Sequence, residues 1–195
     1  MNQILFDSST GVLVMAIAKD GKMIDFSIRM GKKDHAKHIV ERMDQMLKRK
    51  HLDIEQIDEI IVGYGPGSYT GLRISVMVGK MLAYTKGIRL RSVSSLFFLS
   101  SGIEGRVCAM VDARNGNVFG GIFEGDKVIL EESLRGYEEM RELAKKYNAK
   151  PYLIDDYNYE IDTQKILNLS QVVKDVHGFV PNYLRITEAE RNLND

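Results

Sequence analysis

The sequence predicts an α/β protein of two lobes, each with the element order β-β-β-α-β-α and the second lobe reduced. Three observations predict it. Apolar runs of strand length recur as a set of three at residues 4–6, 12–18 and 23–30, and again at 107–111, 118–123 and 128–130. Each set leads into a helical pattern and a further short strand. The first strand of each set ends in an aspartate with a glycine four positions on, Asp7 with Gly11 and Asp112 with Gly116. We read this as an internal duplication of structure type rather than of residue identity, with lobes at residues 1–102 and 103–195.

Taken in order, the run 4–6 ends in Asp7 and passes into the turn formers Ser8-Ser9-Thr10-Gly11. Residues 12–18 are apolar throughout, which suits a strand covered on both faces. Asp20-Gly21 signals a hairpin into the third strand. Asp34 is the expected N-cap of a helix over 34–50, where Ile39, Val40, Met43, Met46 and Leu47 recur at helical spacing. Lys48, Arg49 and Lys50 then complement the negative end of the helix dipole. Ile60-Ile61-Val62 reads as a buried strand. The loop Gly65-Pro66-Gly67-Ser68-Tyr69-Thr70-Gly71 leads from it into a helix running to about Thr85, capped by Ser68 or Thr70 and stopped by Gly87. A strand at 88–93 and a helix capped by Ser94 or Ser95, ending near Gly102, complete the first lobe. In the second, Gly125-Asp126 turns the chain between strands, Tyr137, Met140, Leu143 and Ala144 fall in helical register, and Tyr152-Leu153-Ile154 is a short strand.

Composition excludes several classes of function. The 195 residues suit one domain or two small ones. Lys and Arg number 27 against 27 Asp and Glu, and a net charge of zero argues against a chain that grips nucleic acid by itself. The single cysteine, Cys108, forms no internal disulfide, fits a reducing cytosol, and excludes multi-cysteine zinc or iron–sulfur sites. Its place in an apolar strand predicts an inert core thiol. No apolar run approaches the roughly 20 residues that cross a bilayer, and the N-terminus lacks the pattern of a signal peptide. The expectation is a soluble, cytoplasmic protein with no membrane partner.

Two β-β-β-α-β-α units, each opening with a strand–Asp–turn hairpin, resemble the actin, Hsp70 and sugar-kinase superfamily, in which two hairpins approach a nucleotide's phosphates from either side. The chemistry of such a turn is general: it presents backbone N–H groups to an anion, while the aspartate holds Mg²⁺ or water. A sharper resemblance lies in Gly65-Pro66-Gly67-Ser68-Tyr69-Thr70-Gly71-Leu72-Arg73, which is similar to the signature of the bacterial TsaB (YeaZ) family. Ile4-Leu5-Phe6-Asp7-Ser8-Ser9 resembles that family's opening strand, and Val111-Asp112-Ala113-Arg114 with Gly116 and Val118 its second-half motif. Pro181-Asn182-Tyr183-Leu184-Arg185 followed by Ala189-Glu190 resembles its C-terminal segment. These motifs stand in chain order across nearly the whole sequence. There are departures: Ser8 stands where the family has Thr, and Ala36 and Lys37 follow His35 where a His-Ser-Glu sequence is usual.

The resemblance implies a part in making threonylcarbamoyladenosine beside the anticodon of tRNAs that read codons beginning with A. It implies a non-catalytic paralogue and partner of the metal-bearing transferase TsaD, joined by the small ATPase TsaE and supplied with threonylcarbamoyl-adenylate by TsaC or a relative. Homodimerisation when alone, and contact with tRNA only through the complex, belong to the same expectation. No cofactor is expected of the chain by itself, with ATP or ADP shared at the complex boundary as the one nucleotide the resemblance allows.

The site residues are weighed against that background. The loop Gly65, Pro66, Gly67, Ser68, Thr70 and Gly71 joins a strand to a helix N-terminus and in principle cradles phosphate, but it lacks the Gly-Lys-Ser/Thr of a Walker motif, so a stiff glycine turn is favoured. Asp7, Ser9 and Asp112 are vestigial phosphate-loop candidates; no catalytic or metal-binding residue is assigned. Gly120-Gly121 falls inside a strand instead of forming an adenosine loop. His35 and His38 are too few for a closed metal site and read as exposed helix-start residues. Arg73, Lys80 and Arg185 are candidate phosphate contacts, with surface ion pairing as the default. No Ser/His/Asp set with usable spacing suggests a peptidase. The partner surface is expected on the two N-terminal-lobe helices at 34–50 and 70–86, through His35, Ile39, Met43, Met46, Arg73, Ser75, Val76, Gly79, Lys80 and Ala83. Its centre is the small-residue stripe Ser75, Gly79 and Ala83, which would admit another helix closely. The rival reading is a stand-alone ATPase or kinase using Asp7 and Asp112.

Overall fold

The computed structural model describes residues 1–31 and 35–184. Strands β1 (Asn2–Asp7), β2 (Val12–Lys19) and β3 (Lys22–Met30) form an antiparallel meander, turned at Asp20-Gly21, where both residues take positive φ. β2 is buried along all but its last residue because its two faces pack on different layers. Val12, Val14, Ala16 and Ala18 face the second lobe, while Leu13, Met15 and Ile17 face the helices, at the two-residue period of a strand. Helix α1 (His35–Arg49) follows, and then β4 (Glu59–Gly63), helix α2 (Tyr69–Lys86) and β5 (Arg89–Val93). β4 runs parallel to both β1 and β5. Ser68 is the N-cap of α2, and Gly87 ends it in the left-handed conformation at φ 67°. Asp34, expected to cap α1, lies outside the described residues, as do Arg185, Ala189 and Glu190.

The second lobe repeats this design. β6 (Arg106–Asp112), β7 (Asn117–Glu124) and β8 (Lys127–Gly136) form the meander, and helix α4 (Tyr137–Lys146) leads to β9 (Lys150–Ile154). The sheet order β8-β7-β6-β9 matches the β3-β2-β1-β4 portion of the first sheet, with the same antiparallel and parallel senses. The duplication is therefore one of topology, and the architecture is that of the actin/Hsp70/sugar-kinase superfold with a reduced second lobe. α4 binds its sheet through Met140 and Ala144; Gly120 in β7 makes the room, since a Cβ there would lie 2.7 Å from Met140 Cε. Cys108 is fully buried in β6, and burial pushes its thiol up to about 11, as suits an inert core residue.

Between the sheets lies helix α3 (Ser95–Ser100), capped by Ser94 and buried at every residue. Leu96, Phe97, Phe98 and Leu99 share one apolar cluster with Leu5 and Ile61 of the first sheet and Ala109, Phe123 and Ile154 of the second. The boundary expected at 103–195 is corrected beyond β9. Helix α5 (Thr163–Leu169) reaches the first lobe through Thr163 Oγ1, which donates to Gly21 O at 2.6 Å. Strand β10 (Gln171–Val172) pairs antiparallel with β5, on the edge of the first sheet. Residues 173–179 then pack Val173, Val176 and Phe179 on the first-lobe helical layer. No described helix is long and apolar enough to cross a membrane.

Candidate functional site

The two meander turns and the glycine-rich loop meet in one cleft of ≈ 1150 Å³ between the lobes. Ser9 and Gly11 come from the β1–β2 turn, Asp112 and Arg114 from the β6–β7 turn, and Ser68 and Thr70 from the start of α2. This is the placement the duplicated Asp-to-Gly pattern predicts.

Asp7 itself does not line the cleft. It is fully buried: Oδ1 accepts from Ser9 N at 2.8 Å and Ser9 Oγ at 2.6 Å, and Oδ2 accepts from Ser95 Oγ at 2.5 Å. Burial drives its carboxyl above the ordinary value, and the serine hydrogen bonds pull it part of the way back. Ser95 Oγ also accepts from Gly65 N at 3.0 Å, so Asp7 ties the first turn, the signature loop and α3 into one knot. Gly63 is glycine because a Cβ there would fall 1.8 Å from Asp7 Oδ2. As a phosphate-site candidate Asp7 is therefore corrected, since its carboxylate is held by Ser9 and Ser95 behind the cleft wall, whereas Ser9 lines the cleft with its hydroxyl given to Asp7. Asp112 does face the cleft, exposed, and accepts a turn-forming bond from Arg114 N at 2.9 Å.

The signature loop is a clamp. Ser68 N donates to Ser9 O at 2.7 Å, Ser8 Oγ donates to Gly71 O at 2.8 Å, and the Ser8 and Ser75 hydroxyls share a 2.7 Å hydrogen bond. A Cβ on Gly71 would lie 1.8 Å from Ser8 O, and one on Gly65, at φ 128°, would lie 2.5 Å from Asn182 O. The glycines thus let α2, the first turn and the segment around Asn182 touch backbone to backbone.

The expected partner face needs correction residue by residue. Ile39, Met43 and Met46 of α1 are buried in the layer between helix and sheet. Ser75, Val76 and Gly79 are buried too. The small-residue stripe faces the sheet: a Cβ on Gly79 would sit 2.9 Å from Leu90 Cδ1 and 3.0 Å from Val62 Cγ1. Ala83 packs half-buried on the same cluster. Lys80 is half-buried, and its ammonium donates to His177 O at 2.7 Å and Phe179 O at 3.0 Å, holding the C-terminal strap. The His35 side chain lies outside the described residues. Of the expected set, Arg73 alone among the described side chains is exposed, stacked over the Tyr69 ring with its guanidinium 5.5 Å from the centroid. α2 instead turns outward Tyr69, Met77, Met81 and Tyr84, with Met77 62% and Tyr84 59% exposed. Tyr69 stacks on Tyr183 at 4.8 Å, and a groove of ≈ 280 Å³ runs between Tyr69, Arg73 and Met77. The four-residue spacing of 69, 73, 77 and 81 was the signal for this face.

A model of the family described as TsaD, tRNA N6-adenosine threonylcarbamoyltransferase, matches residues 29–155. The Bacillus subtilis tRNA threonylcarbamoyladenosine biosynthesis protein TsaB is 28% identical, over 97% of this chain and 96% of its own length. The Escherichia coli protein of the same name is 26% identical over 65% of this chain and 57% of its own. A Pseudomonas aeruginosa crystal structure, described as an uncharacterized protein with similarity to peptidase YeaZ, superposes with a TM-score of 0.75 at 21% identity, covering 94% of this chain and 99% of its own. That likeness speaks for the fold. The chain belongs to the TsaD family, on its TsaB (YeaZ) branch.

Proposed function

We propose that the chain serves tRNA threonylcarbamoyladenosine biosynthesis as the non-catalytic partner of a TsaD transferase, docking it through the outward face of α2. The observation that carries this reading is the row of large apolar side chains left in solvent along an 18-residue helix, Tyr69, Met77, Met81 and Tyr84. Exposed Tyr and Met at helical spacing suit a buried, adaptable contact. Val40 of α1, a helix in the same layer, is 50% exposed as well. The non-catalytic part of the reading is supported by Asp7, whose carboxylate is bound by Ser9 and Ser95. The same face serves a homodimer when TsaD is absent. TsaE joins the pair, tRNA is met only through the complex, and ATP or ADP belongs at the complex boundary.

The test is co-purification of the chain with TsaD. Met77→Glu and Tyr84→Ala, both outside the core, are expected to weaken the complex about tenfold or more each while leaving the thermal unfolding of the free chain unchanged. Substitutions at Val76 or Gly79 do not test docking, because both residues are buried. Undiminished capture of TsaD by Met77→Glu overturns the assignment of this face. Steady ATP turnover by the isolated chain, lost in Asp112→Asn, overturns the partner-only reading in favour of an ATPase or kinase.

A further inference from the structure

The β1–β2 turn already holds an anion, and the chain supplies it. Gly11 N donates to Asp156 Oδ1 at 2.9 Å across 145 residues of sequence and from one lobe to the other. The carboxylate lies flat over the turn: a Cβ on Gly11 would meet Asp156 Oδ1, Oδ2 and Cγ at 2.5, 2.6 and 2.8 Å. A side chain at 11 would push the carboxylate out of this position.

The loop that delivers this carboxylate is held at both ends. Directly before it, Asp155 Oδ1 accepts from Tyr157 N at 2.7 Å and Asn158 N at 2.8 Å, while Asn158 Nδ2 donates to Leu153 O at 2.7 Å. Further on, Glu160 exchanges backbone bonds with Leu99 and Gly102, and Asp162 N donates to Ser101 Oγ at 2.8 Å. Two neighbouring donors are taken as well, Ser9 N by Asp7 and Val12 N by Thr10 Oγ1. Backbone N–H groups gathered in a turn at the mouth of a cleft attract phosphate or carboxylate. A carboxylate presented by a fixed loop forgoes the entropy that a diffusing anion loses on binding.

We propose that Asp156 is a built-in occupant of the phosphate position of the first turn, clasping the two lobes together and excluding phosphate-bearing ligands from Gly11. This goes beyond docking to a transferase and stands or falls separately from it.

The experiment follows backbone amides of the isotope-labelled full chain, free and titrated with inorganic pyrophosphate. In Asp156→Ala the Gly11 amide is expected to exchange with solvent about tenfold faster than in the native chain. Pyrophosphate at millimolar concentration is expected to shift the Gly11 and Thr10 amides in the variant and leave them in place in the native chain. Asp156→Asn keeps the Oδ1 acceptor and loses the charge, so it retains the Gly11 protection and binds pyrophosphate more tightly than the native chain. That isosteric variant carries the test if Asp156→Ala does not fold. Unchanged Gly11 exchange in Asp156→Ala overturns the clasp. A native chain whose turn amides answer pyrophosphate as strongly as either variant overturns the exclusion, and so does a folded variant with an open Gly11 amide and no response.

Discussion

The β1–β2 and β6–β7 turns begin alike and end in opposite uses. In both, the aspartate at the strand end accepts from the backbone N–H two residues on, Asp7 from Ser9 at 2.8 Å and Asp112 from Arg114 at 2.9 Å. That shared Asx turn is the duplicated feature at the level of single hydrogen bonds. Beyond it the turns diverge. Asp7 is sealed under Ser9, Ser95 and the close approach of Gly63, while Asp112 stands in solvent with Arg114 and Asn115 in left-handed conformations beside it. The pattern Asp-x-x-x-Gly specifies a hairpin; what packs on the hairpin decides whether its aspartate is a structural knot or an open group. α3 and the signature loop reach the first turn, and among the described residues nothing of the second lobe packs on the second turn in that way.

The sharpest way to break that comparison is to delete both aspartates separately. Asp7→Ala strands the Ser9 amide, the Ser9 hydroxyl and the Ser95 hydroxyl in the interior, and is expected to cost about 3 kcal/mol of unfolding free energy. Asp112→Ala removes one exposed hydrogen bond and is expected to cost about 0.5 kcal/mol. Denaturant titration of both variants measures the difference, and equal losses would mean that the two turns bear the same weight.

A smaller effect separates the glycines. Gly71→Ala puts a methyl 1.8 Å from Ser8 O, and backbone on both sides must shift, for an expected loss of about 2–3 kcal/mol. Gly116→Ala meets no neighbour within 4 Å and pays only for its φ of 73°, about 1 kcal/mol. Thermal melts that rank the two the other way would show that the clamp of α2 on the first turn is loose.

The same contrast explains what could be read before the structure. Strands, helix starts and helix stops are written locally, in Asp20-Gly21, in the caps Ser68 and Ser94, and in Gly87, so these elements fall where the residue pattern puts them. The outward face of α2 was misread because Gly79 is small for the sake of Val62 and Leu90, partners on other strands that no helical period reveals. α1 and α2 were legible as elements, and the side chains they expose were not. Strand β10 is two residues long and carries no periodicity, which hid the return of the chain to the first sheet. Asp156 meets Gly11 across 145 residues, and nothing near either residue announces the other.

Glu132 offers the smallest effect. It lies on β8, where its carboxylate accepts from Ser94 Oγ and from Asn182 Nδ2, the latter at 3.0 Å, so it joins the second lobe to the cap of α3 and to the C-terminal strap. Burial raises its carboxyl above the ordinary 4.5, with Glu131 adding repulsion and the two hydrogen bonds opposing. Asp7 is raised above 3.8 by burial as well. An acid whose folded-state value is raised binds its proton more tightly in the folded chain, so its contribution is full below the unfolded value and is lost as pH rises through the folded one. The exposed carboxylates Asp20, Glu55 and Glu142 shift the opposite way, but solvent screening leaves them little weight. The native chain should therefore gain stability from these two interior groups as pH falls from neutrality through their raised values toward the ordinary 4.5 and 3.8. Glu132→Gln, which keeps the shape and an acceptor for the second lobe's contacts, should flatten that part of the profile without lowering stability at pH 7. Melting temperatures of both proteins at pH 5 and pH 7 decide it: a variant whose rise on acidification equals or exceeds the native one would show that Glu132 is not the group being protonated, and would leave Asp7 to account for the whole slope.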